Sequence, residues 1–269
     1  MKKIIVMALT ALVLAACGND TSTNEDSITS TVDLTEATTS YKTTLLVDAT
    51  AFVEDTKVLQ AAINNNQLDE AQKLYPLVHM SVEKFKPLQS QLKEQLALLD
   101  GPIKTGKELE GMGLHVLEYA LFTKKDPALA KDAAQQVVDN ALAFANDVAK
   151  KELQGQAILN DTASMLKFAI EDKLTNTEES ISNTQMYDLE ANVIAVQQVL
   201  TAYSSVGSET TVKALQEAIT TVQEEMAFYQ IGKEDYVAYN IFTNKQKQAL
   251  IDDVKQLQAS FQAFQKSIK

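Results

Sequence analysis

The chain has 269 residues, of which 45% are hydrophobic and 22% are charged, a balance that is typical of a globular protein with one large domain or two small ones. Its formal net charge of −12 argues against a nucleic-acid partner, because nucleic-acid binding requires a positively charged surface. The acidic residues are either a solvated surface that keeps the protein soluble or, in part, a means of attracting cations.

The first 16 residues, MKKIIVMALTALVLAA, have the pattern of a secretory signal peptide, with two lysines, an apolar run and small residues at the end. The run is too short for an ordinary transmembrane helix. It leads into LAACG, residues 14–18, which resembles the lipobox of bacterial lipoproteins. That resemblance implies cleavage before Cys17 and a lipid anchor on its sulfur. The alternative is a spare thiol, since a sole cysteine cannot form an intramolecular disulfide.

Residues 19–40, NDTSTNEDSITSTVDLTEATTS, are rich in Thr and Ser and contain few large apolar side chains. Such a composition cannot bury enough apolar surface to fold. Together with the lipidated Cys17, this stretch predicts a flexible tether, residues 17–40, between the membrane and a folded part that begins at Tyr41.

Beyond the tether, apolar residues recur at helical spacing, and no stretch alternates convincingly as a strand does. We predict eight helices: 41–64, 68–99 with kinks at Pro76 and Pro87, 111–122, 127–153 capped by Asp126, 155–174, 186–203, 209–230 capped by Ser208, and 244–269. One bundle needs about four helices. The sequence therefore predicts an all-α fold of two packed four-helix layers, with halves of about 41–154 and 155–269.

The segment 111–122, GMGLHVLEYALF, carries one of the two histidines, His115, and has Glu118 three residues later. On a helix this spacing places both side chains on one face, one turn apart. The segment is apolar on nearly all sides, so we expect it to be buried. A buried carboxylate is costly unless it is paired or binds a metal. The segment therefore indicates either a metal site or a structural His–Glu pair.

Neighbouring helices supply further polar side chains to mostly apolar faces: Tyr75, His79, Glu83 and Lys86 share one face, Asp100 ends that helix, and Glu178 and Glu179 precede the sixth helix. Metal sites in helical bundles are built from such inward-facing groups. One imidazole with several carboxylates suits iron or manganese and tolerates zinc or copper. Each residue also has an ordinary alternative, such as a turn residue for Asp100 or solvated loop acids for the glutamate pair.

Three separated stretches form the most specific pattern: YPLVHMSVEKFKPL at 75–88, GLHVLEYALF at 113–122 and TEESISNTQMYDLEANV at 177–193. They resemble, respectively, the Tyr–Glu–Pro helix, the Gly-x-His-x-x-Glu segment and the Glu-Glu, Ser-x-Thr, Ala-Asn-Val block of the EfeO/EfeM iron-uptake proteins. This family is also called imelysin-like, after a member described as a metallopeptidase. The resemblance covers about 41–269 and implies an all-α, imelysin-like fold with the metal site in the cleft between two four-helix bundles.

Carried over residue by residue, the resemblance implies a ligand set of one histidine and several carboxylates: His115, Glu118, Glu83, Asp100, and Glu178 or Glu179. Three further side chains would lie around these ligands: Tyr75, His79 and Tyr119.

This chain departs from the family pattern at three positions. His79 stands where an arginine is common, Lys86 where a second glutamate is common, and Gln185 where an acid is common. The lysine reduces the number of acidic ligands, which would alter the affinity for metal. Because the helices follow the tether directly, the chain resembles the short, EfeM-like form without the copper-binding cupredoxin domain.

The function that the resemblance implies is iron capture by a lipoprotein anchored through Cys17 to the outer face of a bacterial cell membrane. Iron, as Fe²⁺ or Fe³⁺, is the expected metal, with zinc, copper and manganese as alternatives. The expected partners are a membrane iron permease and a haem-peroxidase of the same system. On this interpretation the protein is not an enzyme.

Two alternatives stay open at this point. The first is a zinc metallopeptidase, although the His-Glu-x-x-His arrangement of many zinc peptidases is absent. The second is a surface interaction protein whose buried His–Glu pair is only structural.

Overall fold

The computed structural model describes residues 32–101, 106–175, 181–232 and 235–268. The predicted signal peptide, Cys17 and the first part of the predicted tether lie outside the described residues, and so do Glu178 and Glu179.

Helices account for nearly all of the regular structure in these ranges. The α-helices are α1 (Thr35–Asn64), α2 (Leu68–Glu83), α3 (Lys93–Asp100), α4 (Leu114–Glu118), α5 (Pro127–Lys150), α6 (Gly155–Phe168), α7 (Gln185–Tyr203), α8 (Glu209–Ala227) and α9 (Asn244–Ser267). Two π-helices continue α4 and α6, at Tyr119–Lys124 and Ala169–Lys173. Short 3-10 turns occupy Lys86–Leu88, Glu108–Glu110, Ser204–Val206 and Tyr239–Ile241. A two-residue strand β1 (Gln230–Ile231) pairs antiparallel with β2 (Asp235–Tyr236).

The helices form two packed groups. In the first, α1 packs against α2 and α5, and α3 and α4 pack together against α5. In the second, α6 and α7 pack together, α8 packs against α7 and α9, and α9 returns to α6. Contacts of α1 and α2 with α7 join the groups, and one hydrophobic core runs through both. The predicted all-α fold of two packed bundles is confirmed, with five α-helices in the first bundle because the predicted helix 68–99 is divided into α2 and α3.

Local capping chemistry explains where several helices begin. Asp126 accepts hydrogen bonds from the backbone N–H groups of Ala128 and Leu129 at 2.9 and 3.3 Å, just before Pro127 opens α5. Ser208 accepts one from the N–H of Thr211 at 3.3 Å and so caps α8. Both residues were predicted as caps, because a short side-chain oxygen satisfies N–H groups that have no partner inside the helix.

The structure differs from the predicted elements at α1. This helix begins at Thr35, earlier than the predicted Tyr41, so part of the predicted tether is helical. Ala37 and Thr38 are buried, and the hydroxyl groups of Thr38 and Tyr203 lie 2.9 Å apart in a hydrogen bond with the second bundle. Tertiary packing therefore extends a stretch whose composition alone favours disorder.

The predicted second helix is divided. Pro76 lies inside α2, whereas Pro87 lies in the 3-10 turn that follows, and α3 begins only at Lys93. Proline removes a backbone donor and clashes with the preceding helical turn. Of the two predicted interruptions, only the one at Pro87 coincides with the end of the helix, whereas α2 continues through Pro76.

Candidate metal centre

Eight ionisable side chains meet at the junction of the bundles, and we call them the buried cluster: His79, Glu83, Lys86, Asp100, His115, Glu118, Lys173 and Asp188. They come from α2, the 3-10 turn after it, the end of α3, α4, the second π-helix and the start of α7. Both histidines of the chain are among them. Lys86 is the most exposed, with 17% of its side chain accessible.

A glycine sets α4 against the end of α3. Gly113 has φ +76°, and a Cβ atom there would lie 2.2 Å from the carbonyl oxygen of Leu99. Only glycine accepts both this backbone conformation and this close approach. The contact brings Asp100, the residue after Leu99, beside His115 in the first turn of α4.

His79 lies between two carboxylates. Its Nε2 atom is 2.8 Å from Oδ1 of Asp100, and its Nδ1 atom is 2.7 Å from Oδ1 of Asp188. The ring of Tyr75 stacks on the imidazole, with 5.9 Å between the ring centroids. Packing and two hydrogen bonds thus fix the ring of His79 in one orientation.

His115 has a related arrangement. Its Nε2 atom is 3.3 Å from Oδ1 of Asp100, and its Nδ1 atom is 3.5 Å from Oε2 of Glu118. The other oxygen of Glu118 accepts a hydrogen bond from the backbone N–H of Ser182 at 2.9 Å. The predicted pairing of His115 and Glu118 on one helical face is therefore present.

The Nε2 atoms of both histidines converge on one oxygen of Asp100. One ligand atom from each of His79, Asp100 and His115 lies within 4.8 Å of the others. Two imidazoles and a carboxylate form a donor set that suits iron, zinc, copper or manganese. The Nδ1 atoms point to Asp188 and Glu118, as in metal sites where a carboxylate fixes the tautomer of a ligating histidine.

Two lysines hold the remaining carboxylate oxygens of this region. The Nζ atom of Lys86 is 2.6 Å from Oδ2 of Asp100 and 3.3 Å from Oε1 of Glu83. The Nζ atom of Lys173 is 2.9 Å from Oδ2 of Asp188 and 3.2 Å from Oε2 of Glu83. Buried charges are tolerated only when they are paired in this way.

The pKa values of the carboxyl groups reflect these partners. Burial acts to raise the pKa of Asp100, but Lys86 and the two histidines hold that pKa well below its usual range. Burial likewise opposes the ionisation of Asp188, yet His79 and Lys173 lower its pKa to about 2. Both groups are therefore carboxylates at neutral pH.

The same balance operates at Glu118 and Lys86. For Glu118, burial acts to raise the pKa, but hydrogen bonds from His115 and Ser182 outweigh it and lower the pKa. Burial acts to lower the pKa of Lys86, whereas the carboxylates of Asp100 and Glu83 raise it overall. Lys86 is therefore a permanent cation in this site.

The structure brings together most of the residues that the sequence singled out. Asp100, His115 and Glu118 lie together, and His79, which was expected beside the ligands, is one of the three residues that could hold a metal. Glu83 is fully buried, but its oxygens contact Lys86, Lys173 and Asn192.

The two predicted tyrosines make other contacts. Tyr75 stacks on His79. Tyr119 is half-buried, and its ring lies 5.3 Å from the Nζ atom of Lys124. Glu178 and Glu179 fall outside the described residues, so their part in the site stays a prediction.

Sequence reasoning missed Asp188, Lys173 and Asn192. Asp188 and Asn192 lie one turn apart in the largely buried helix α7, and that spacing is a signal that could have identified them. Lys173 gives no such signal, because its position depends on the π-helix that ends α6. Among the described residues, no helix combines the length and apolar character that crossing a bilayer requires.

Comparison with known proteins shows the family of the chain. A family model described as Imelysin, of a peptidase class, matches residues 37–264. A protein of Staphylococcus haemolyticus (strain JCSC1435), named "Efem/EfeO family lipoprotein", is 27% identical over 283 aligned residues, which cover 96% of each chain.

Two Staphylococcus aureus proteins with the same name, from strains MRSA252 and NCTC 8325, are each 28% identical over 233 residues. Those alignments cover 84% of this chain and 82% of each relative. The chain therefore belongs to the imelysin family, as an EfeO/EfeM-like member.

Proposed function

We propose that this protein is a membrane-anchored, extracytoplasmic metal-binding lipoprotein of an iron-uptake system. The observation that carries the proposal is the convergence of the Nε2 atoms of His79 and His115 on one oxygen of Asp100, within the buried cluster. The name shared by the relatives, which describes lipoproteins of the EfeM/EfeO type, supports the same function.

In this proposal iron is the cargo, and three atoms bind it: Nε2 of His79, Nε2 of His115 and Oδ1 of Asp100. Asp188 and Glu118 hold the Nδ1 sides of the two rings, so that the Nε2 lone pairs face the ion. Two imidazoles and one carboxylate leave coordination positions open, an arrangement known for Fe²⁺, and zinc, copper and manganese are the competing ions.

Glu83 has a different role here from the predicted one. Its carboxylate oxygens are engaged by Lys86, Lys173 and Asn192, so we assign it to the ion pairs around the site. Glu178 and Glu179 stay candidates for a further ligand.

The lipid on Cys17 would keep the protein beside a membrane permease, and the excess of acidic over basic residues would raise the local concentration of cations. An uptake protein must also release its cargo to the permease, with the haem-peroxidase as a second partner. A site with few protein ligands meets this need better than a closed four-ligand cage.

Measurement of bound metal tests the proposal directly. The full-length chain in detergent is exchanged against Fe²⁺, Mn²⁺, Zn²⁺ and Cu²⁺, and the metal that it retains is determined by elemental analysis. We expect a stoichiometric ion in the wild-type protein and its loss in Asp100→Asn. The matched control is Asp48→Asn, because Asp48 is an ion-paired carboxylate that pairs with Lys84 outside the cluster. Equal metal content in all three proteins would refute the site.

The alternative function is a zinc metallopeptidase, which the peptidase class of the family model favours. Such an enzyme needs a zinc-bound water and a carboxylate that acts as its base. Glu118 is the candidate for the base, although its Oε2 atom faces His115. Zinc-dependent cleavage of a peptide library that disappears in Glu118→Gln would support the enzyme, and retention of iron without any cleavage would support the uptake protein.

A further inference from the structure

Three large apolar side chains are exposed in the connection between α8 and α9, and we call them the apolar tip: Phe228, Ile231 and Ile241. Phe228 is 80% exposed, Ile241 69% and Ile231 56%. They are three of the four most exposed large apolar residues in the part of the chain that the structure describes. Apolar surface of this kind is stabilised when a partner removes it from water, and a group of such residues marks an interaction site.

Contacts between neighbouring residues hold the apolar tip in one region. The rings of Tyr229 and Phe242, which directly follow Phe228 and Ile241 in the chain, have centroids 4.3 Å apart. Ile231 lies in β1, which pairs with β2 in the same connection. The three exposed side chains therefore belong to one compact region and are not scattered singly over the surface.

This region is attached to the molecule next to the buried cluster. The hydroxyl group of Tyr239 donates a hydrogen bond at 2.6 Å to the carbonyl oxygen of Leu174, the residue after the lysine of the second π-helix. The backbone N–H of Tyr236 donates at 3.3 Å to the hydroxyl oxygen of Tyr187, the residue before Asp188. A partner that covers the apolar tip would therefore lie at the end of the second bundle that contributes to the cluster.

The described chain begins at the other end of the second bundle. Thr38, in the first turns of α1, is hydrogen-bonded to Tyr203 at the end of α7, whereas Tyr187 lies at the start of that helix. Between Tyr187 and Tyr203 the helix is about 24 Å long, since each residue adds 1.5 Å. The chain between Cys17 and Val32 can extend to about 50 Å at most. A domain anchored through Cys17 can therefore bring the apolar tip to the bilayer.

The charges near the apolar tip favour a lipid surface. Segment 228–247 contains three lysines and two acidic residues, although acidic residues outnumber basic ones in the whole chain. Lys245 is exposed, and the Nζ atom of Lys247 lies 4.6 Å from the ring centroid of Tyr239. Lysines are attracted to acidic lipid headgroups, and exposed apolar side chains next to tyrosines and lysines are typical of segments that lie in the membrane interface.

We propose that the apolar tip docks on the lipid bilayer, with Phe228, Ile231 and Ile241 inserted at the level of the headgroups and the first part of the acyl chains. This inference rests on the proposed function, because the anchor on Cys17 supplies the bilayer. Three side chains bind a membrane weakly by themselves, but the anchor keeps the bilayer at a high effective concentration. Docking would turn the end of the second bundle that contributes to the buried cluster towards the membrane, where a permease would receive the ion.

The test uses tryptophan fluorescence, because the chain contains no tryptophan and Phe228→Trp introduces a single aromatic reporter. The lipid-anchored full-length protein is reconstituted into vesicles of phosphatidylglycerol and phosphatidylcholine with either ordinary or brominated acyl chains. Bromine quenches a tryptophan that contacts the acyl chains. We expect the emission to shift to shorter wavelength in ordinary vesicles, and most of the fluorescence to be lost in brominated ones.

Two further variants identify the surface that makes the contact. Val47→Trp is the matched control, because Val47 is 67% exposed on α1, and its fluorescence should be the same in both kinds of vesicle. Addition of Ile231→Ser and Ile241→Ser to Phe228→Trp removes the other two apolar side chains. In this triple variant the fluorescence in brominated vesicles should recover.

Equal fluorescence of Phe228→Trp in the two kinds of vesicle would overturn the inference. A shift to shorter wavelength without quenching would also overturn it, and would assign the apolar tip to contact with a second copy of the chain. Flotation of the vesicles separates this result from the proposed function. Protein that floats with the vesicles without being quenched is anchored but not docked, whereas protein that does not float lacks the anchor, which would overturn the docking and the membrane anchoring together.

Discussion

The two bundles contribute different chemistry to one site. The first bundle supplies His79, Asp100 and His115, the three residues that could hold a metal. The second supplies Asp188, which contacts Nδ1 of His79, and Lys173, which pairs with Glu83 and with Asp188 itself. Because Asp188 contacts His79 from the other bundle, the geometry of His79, Asp100 and His115 depends on the packing between the bundles.

The two π-helices show the same division. The first, Tyr119–Lys124, begins directly after Glu118 and so follows the His-x-x-Glu turn, whereas the second, Ala169–Lys173, ends on the lysine that enters the cluster. A π-helix adds a residue to a helical turn, so it changes which side chains face inward, and it is frequent at functional sites. A π-helix therefore follows the segment that carries His115 and Glu118 in the first bundle, and a π-helix carries Lys173 in the second.

Removal of the buried lysine should give the largest effect on stability. Lys173→Met keeps the length of the side chain but leaves Glu83 and Asp188 without that cation, and loss of one partner of a buried ion pair costs about 3–5 kcal/mol. Urea unfolding followed by circular dichroism measures the free energy of unfolding.

Lys84→Met is the matched control for this prediction. Lys84 pairs with Asp48 at 3.4 Å and is partly exposed, so the expected loss is about 1 kcal/mol or less. Equal losses in the free energy of unfolding would mean that Lys173 stabilises the fold no more than the partly exposed Lys84 does.

Features that depend on neighbours in the sequence could be predicted from the sequence alone. Helix starts such as those at Asp126 and Ser208 follow from local capping, and the pairing of His115 with Glu118 follows from helical spacing. These features depend on neighbours within one turn, so the sequence contains the information.

Features that depend on distant contacts were harder to predict. His79 and Glu83 lie one turn apart on the same face of α2, and helical periodicity cannot tell which of them meets the histidine of α4 and which meets the lysines. The position of Lys173 depends on a π-helix, which shifts the helical register after Phe168. These outcomes are set by the packing between bundles.

Replacement of the second bundle's carboxylate should weaken metal binding without removing a ligand. In Asp188→Asn a neutral amide oxygen accepts the hydrogen bond from Nδ1–H of His79 more weakly than the carboxylate does, and mutation of such an orienting partner typically lowers metal affinity by about 10–100-fold. Titration with Zn²⁺ measures the Kd.

Asp161→Asn is the control for this change, because Asp161 also belongs to the second bundle and accepts hydrogen bonds from the backbone and hydroxyl of Ser90, both at 2.7 Å, outside the cluster. If Asp188→Asn bound Zn²⁺ as tightly as Asp161→Asn, the role of Asp188 in orienting His79 would be disproved.

Protonation of Asp188 in acid should lower the free energy of unfolding. The pKa of this group falls from 3.8 to about 2 in the folded protein, so its contribution to the free energy of unfolding is fully present above pH 3.8 and disappears as the pH falls through about 2. The shift corresponds to about 2 kcal/mol. Urea unfolding of the metal-free protein between pH 5 and pH 2 should show a smaller loss in Asp188→Asn than in the wild-type protein.

Asp161 should have the opposite influence within the same bundle. Burial raises the pKa of Asp161, which means that the folded state binds its proton more readily than the unfolded state. Acidification through that range therefore stabilises the fold at this residue, and Asp161→Asn should lose more stability than the wild-type protein as the pH falls. Parallel pH profiles for the two variants would contradict the assignment of Asp188 to a charged network that Asp161 does not share.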